Sequence, residues 1–146
     1  EPHHWEHSLE VQLPFLQEVL ATFSLLPLAV GRASPAEVTA ILEALWGGDE
    51  TVVVVSSDLS HHHPYASAKR MDSATAQAIE ALRPSDIGYE DACGGIGIRG
   101  LLQIAQRRAL TTQTLDLRNS GDTAGGRDEV VGYGAWAFTV SKNGSP

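Results

Sequence analysis

The side chains able to do chemistry in this 146-residue sequence gather in three places. All six histidines fall in two clusters: His3, His4 and His7 near the start, and His61, His62 and His63 in the middle. In the middle cluster Asp58, His61 and His63 form the pattern D-x-x-H-x-H. An imidazole beside a carboxylate suits general acid/base work, because its pKa lies near neutrality and the carboxylate orients it. His62, between two others, is expected to point away to solvent. His63, directly before Pro64, fits a structural hydrogen bond as well as it fits chemistry.

The third place is Cys93, the only thiol, in the string Ala-Cys-Gly-Gly. A lone cysteine commonly packs as a small hydrophobe. Two glycines and a helical pattern follow this one, so the backbone can come close to a ligand. A thiolate here would be stabilised by the helix terminus, or would ligate a soft or borderline metal. Both readings of Cys93 stand on the sequence. The opening segment also holds His3-His-Trp-Glu6-His7, which matches the H-x-x-E-H pattern of inverted zinc peptidases, with Glu6 as the base that activates a water. Pro14 breaks the helix that motif needs, and no third ligand is identifiable downstream, so it is a subordinate reading.

The elements that must carry these residues follow from periodicity. Val52–Val55 is a continuous apolar run between Gly47-Gly48 and Ser56-Ser57-Asp58. It predicts a strand buried on both faces of a largely parallel sheet, with the Asp58–His63 segment beyond its carboxyl end, where open α/β sheets bind ligands. Leu9, Leu13, Leu16, Val19, Leu20 and Phe23 form a helical stripe that Pro14 kinks or starts. Residues 24–31 read as a short buried strand. Ser34-Pro-Ala-Glu37 is a capping box that opens a helix ending near Gly47. Helices are expected at 65–82 and 98–110, a helical turn within 85–92, strands at 112–117 and 130–140, and an ordered Gly/Asp loop at 119–128. The fold class is therefore α/β, with helices packed on a mixed, largely parallel sheet.

At 42% apolar residues the chain is able to build one core. A net charge of −8 argues against a nucleic-acid or anionic-membrane partner. No apolar run reaches membrane-spanning length, and a single cysteine excludes an internal disulfide framework, so the cytoplasm is the expected compartment. The sequence opens on Glu1-Pro2 and reads as a portion of a larger protein, with residues 1–140 as the domain portion and 141–146 as a tail or linker.

The strings EHSLEVQLPFL (6–16), SSDLSHHHPY (56–65), ACGG (92–95), NSGD (119–122) and VVGYGAWAF (130–138) together resemble the Memo family, also known as AmmeMemoRadiSam system protein B. The resemblance implies the fold of class III extradiol dioxygenases of the LigB type, with this chain as the C-terminal portion and the N-terminal half missing. It implies a non-haem iron or copper site in which Cys93 joins two histidines that this chain lacks. Asp58 and His61 match pocket residues, His61 as acid/base, and His7 matches a pocket histidine that contacts the substrate. Two positions depart from the family pattern: His62, where an aromatic is common, and Gly97, where a proline is expected. The implied activity is a metal-dependent oxidoreductase or metal-handling protein acting on a small-molecule or peptide ligand, with AMMECR1-type and radical SAM proteins of the same system as partners. The alternative is a peptide- or protein-binding module that uses the same cleft without turnover.

Overall fold

The computed structural model describes residues 7–140. His3, His4 and Glu6 lie outside them, as does the expected tail at 141–146. Helix α1 spans Leu13–Val19, α2 Pro35–Leu45, α3 Tyr65–Glu80 and α4 Gly95–Arg107; strand β1 spans His61–His63, β2 Leu110–Asn119 and β3 Val130–Val140. Short 3-10 turns cover Glu10–Gln12, Pro84–Asp86 and Ser120–Asp122. Pro14 sits in the first turn of α1, where its missing N–H costs nothing. Helix α2 opens on the expected capping box: the Glu37 N–H donates to Ser34 Oγ at 3.2 Å, and the Ser34 N–H donates to the Glu37 carboxylate at 2.8 Å. No helix among the described residues is long and apolar enough to cross a membrane.

The three strands form one antiparallel sheet in the order β1-β3-β2. β3 pairs with β2 from Leu110 opposite Val140 to Asn119 opposite Gly132, with Leu115 bulged out. Two apolar clusters hold the helices to it. One joins Leu59, Ala78, Ile79, Ile87, Ala92, Ile98 and Leu102; the other joins Val38, Leu42, Leu101 and Ile104 across the α2–α4 contact. Val55 and Phe138 touch both clusters and so tie them together.

Two strand expectations are corrected. Val52–Val55 forms no strand, and every strand pair among the described residues is antiparallel. Val53 and Val55 pack inward, whereas Val52 is 79% and Val54 51% exposed. The continuous apolar run suggested burial on both faces; here only one face is covered. Residues 24–31 likewise form no strand, and Leu25, Leu26, Leu28 and Val30 are exposed. Pairing begins instead just past the valines. The Leu59 N–H donates to the Gly132 carbonyl at 2.9 Å, the Gly132 N–H donates to the Ser60 carbonyl at 2.8 Å, and β1 continues the ladder against Val130 and Val131.

A buried carboxylate fixes this crossing. Asp72 of α3 is 3% exposed and accepts the Ser60 N–H at 3.0 Å. A methyl group at Gly132 would overlap that carboxylate, so the strand can approach α3 only without a side chain there. Gly132→Ala is expected to lower stability by about 1–3 kcal/mol, in the range of an overpacked core. A urea denaturation curve unchanged from the parent would remove Asp72 from this role.

The loop between β2 and β3 is ordered from within. The Gly121 N–H donates to the Asn119 side chain at 3.0 Å, and the Asp122 carboxylate accepts the Asn119 N–H and the Tyr65 hydroxyl. The Tyr65 hydroxyl first, then the Asn119 N–H, hold the Asp122 carboxyl below its ordinary value, with Lys69 and Arg127 adding to the effect. A carboxyl depressed on folding adds stability that is present above its ordinary value of 3.8 and is lost as the pH falls below it. Tyr65→Phe should therefore lower the urea midpoint more at pH 6 than at pH 3. An equal loss at both would show that the hydroxyl does not act through Asp122.

Candidate functional site

Asp58 and His61 lie on the segment that leads into β1, and Cys93 lies directly before α4. The crossing just described brings them together: one donor atom from each of Asp58, His61 and Cys93 lies within 4.8 Å of the others. His61 Nε2 stands 3.4 Å from Asp58 Oδ2, with both side chains partly open to solvent. At that exposure the pair contributes at most about 1 kcal/mol to stability, so its use is to orient the ring.

The thiol is held by backbone. The Asp58 N–H donates to Cys93 Sγ at 3.3 Å, and the Ser57 hydroxyl lies 3.6 Å from the same sulfur. Ser57 Oγ in turn donates to the Asp58 carbonyl at 2.7 Å and accepts the Gly94 N–H at 2.8 Å. Gly94 allows this closeness: a Cβ there would stand 2.7 Å from that of Ser57. From the other side, the Gln12 amide donates to Ser56 Oγ at 3.0 Å. The 56–58 segment is thus clamped between the turn before α1 and the start of α4. Cys93 is exposed and faces polar neighbours.

His7 does not join the group. It is exposed at the surface, where Nδ1 lies 2.8 Å from Glu10. His62 is the extra residue of a bulge between His61 and His63, exposed and at φ 57°, while His63 is half-buried in β1 opposite Val130. The bulge lies beside the group, a common place for bulges near functional sites, and the His61 and His62 rings meet edge to face with centroids 6.0 Å apart. Gly97 is a buried residue near the start of α4. A shallow cavity of about 140 Å³ opens at the group, lined by Leu59, His61, Tyr89, Glu90 and Cys93. Sequence reasoning missed Tyr89, Glu90, Gln12 and the structural role of Asp72. Only Ser56 and Ser57 carried a signal, through their place between the valines and Asp58.

A non-glycine residue in the left-handed region costs roughly 1–2 kcal/mol, and a β-branched one tolerates it least. His62→Gly is therefore expected to keep or raise stability, and His62→Val to lower it by about 1–2 kcal/mol. Urea denaturation of the two variants checks this, and a valine variant as stable as the parent would mean that position 62 has no fixed backbone.

The sequence model of a family described as Memo-like protein matches residues 1–137. A MEMO1 family protein of Methanosarcina mazei is 35% identical, over 91% of this chain and 55% of that protein. One from Aeropyrum pernix is 34% identical, over 92% of this chain and 52% of its own length, and one from Aquifex aeolicus is 31% identical, over 90% and 53%. The chain spans about half the length of the curated relatives it matches. The segments that build the cavity all fall inside the matched region, and on that match the chain belongs to the Memo family.

Proposed function

We propose that this chain carries the thiolate and the proton-handling pair of a metal-dependent oxidoreductase or metal-handling site, with iron or copper as the ion. The observation that supports it is the meeting of the Asp58, His61 and Cys93 donors within 4.8 Å of one another, with His61 and Cys93 lining one cavity. Thiolate and imidazole suit soft and borderline transition ions, so the donor set fits the group. Cys93 would hold the ion, with Asp58 and His61 within reach of it. When bound, the ion would supply Lewis-acid polarisation or electron transfer. The chain's own residues do the rest. The Asp58 N–H fixes the position of the sulfur, and Ser57 ties that segment to the start of α4. The Asp58 carboxylate orients the imidazole of His61, which accepts or releases a proton at the cavity wall.

In this reading the remaining length of the relatives supplies two further histidines and the parallel strands of a LigB-like fold beside Val52–Val55. His7, paired with Glu10 outside the group, would not hold the ion. Anaerobic titration with Fe(II) and Cu(I) tests the proposal. Cys93→Ser should weaken uptake at least about tenfold, His61→Ala by a similar factor, and His7→Ala not at all. Uptake by the Cys93→Ser variant equal to that of the parent would sink the metal reading. Capture of a peptide in the cavity, indifferent to metal, would put a binding module in its place.

A further inference from the structure

We infer that the outer side of α1 and the segment at 20–30 form a docking surface, and that its occupant is the polypeptide that the relatives carry outside the region matched by this chain. The inference rests on the reading that this remaining length packs beside Val52–Val55; it does not depend on an ion. Helix α1 is apolar on two sides. Leu13 and Leu16 are half-buried. Val11, Phe15 and Val19 follow one another at intervals of four, which sets them on one side, and they are 51%, 72% and 74% exposed. A helix apolar all round is the pattern of a buried helix, and exposed apolar surface of this kind marks an interaction site.

The segment after α1 carries the strand counterpart of that pattern. Leu26, Leu28 and Val30 alternate along the chain as on one face of a strand, yet all three are exposed, and Leu25 with them. Residues 21–30 make no backbone–backbone hydrogen bond among the described residues. Open main-chain groups beside alternating aliphatic side chains are what strand addition uses: the ladder supplies affinity and the side chains supply register. Val52–Val55 is open in the same way, and the Gln12–Ser56 bond sets the turn before α1 next to the end of that run.

Length and charge choose the occupant. The match leaves close to half of the Methanosarcina mazei protein outside it, enough polypeptide to cover both stretches. A second copy of this chain is disfavoured by charge. Residues 7–58 carry seven carboxylates and one arginine, whereas 59–140 carry nine carboxylates and eight lysines and arginines. Two copies meeting through the acidic part would set like charges against each other.

The 146-residue chain is coexpressed with the unmatched part of the M. mazei protein as a separate polypeptide, and the product is measured by sedimentation velocity and backbone hydrogen exchange. The matched region of the M. mazei protein, coexpressed with the same part, serves as control. A one-to-one complex is expected, in which the amides of Leu25, Leu26 and Leu28–Val30 exchange at least about tenfold more slowly than in the chain alone. Phe15→Asp should weaken the complex at least about tenfold and leave the urea midpoint of the chain alone unchanged, because that ring is exposed. Leu115→Asp, in the β2 bulge, should not weaken the complex. Protection at Val52–Val55 without protection at 25–30 would overturn this inference and leave the reading beside the valines standing. Protection at neither, whether or not the control pair associates, would overturn both. Self-association of the chain with residues 25–30 protected would put a second copy on the surface and overturn the assignment of its occupant.

Discussion

Asp72 sets a carboxylate where almost no water reaches it, and such a group is tolerated only when donors are supplied to it. The Ser60 N–H is the donor, and the absence of a side chain at Gly132 gives the space. That one arrangement decides where the chain leaves its extended path, where β3 may pass, and hence where Asp58 and His61 stand relative to α4. Helix α3, β3 and the 56–63 segment are then three parts of one constraint. The cavity is its by-product.

The thiol is placed by a different means. The Asp58 N–H donates to Cys93 Sγ, and the Gly94 N–H, bonded to Ser57 Oγ, ties the start of α4 to the same segment at a closeness that Gly94 permits. A main-chain donor on a clamped segment is stiffer than a side chain. His61 and Asp58 differ: the sulfur is fixed by main chain, whereas the imidazole–carboxylate pair is half open to solvent.

What could be read in the sequence is what local chemistry controls. The capping box at Ser34, the long helical patterns, the paired strands at the end and the Asn119–Asp122 turn all appear where their residues predict them, within a few residues. The three converging site residues were legible because Asp58 and His61 are close in sequence and Cys93 is the only thiol. The Val52–Val55 strand was misread because a run of β-branched residues carries no record of what lies beside it. Only a neighbouring strand decides whether such a run is paired or merely extended. Glu90 and Tyr89 were invisible for a related reason: an exposed loop has no periodicity, and its meeting with Cys93 depends on core anchors at either end. His7 shows the converse, a residue with a conspicuous sequence context that pairs locally with Glu10.

The pairing of β1 with β3 also has a temporal side. His61 is held by Val131, which lies far downstream near the end of the described chain, while the apolar stretch with Phe15, Leu26 and Val52 comes first. During synthesis, then, these exposed apolar residues leave the ribosome well before the strand that pairs with His61 exists. Contacts of such long sequence separation form slowly, and early apolar segments are exposed to off-pathway association in the meantime. Only once Val130–Val140 has arrived can the strand pairing that holds His61 form, and with it the meeting of thiol, imidazole and carboxylate.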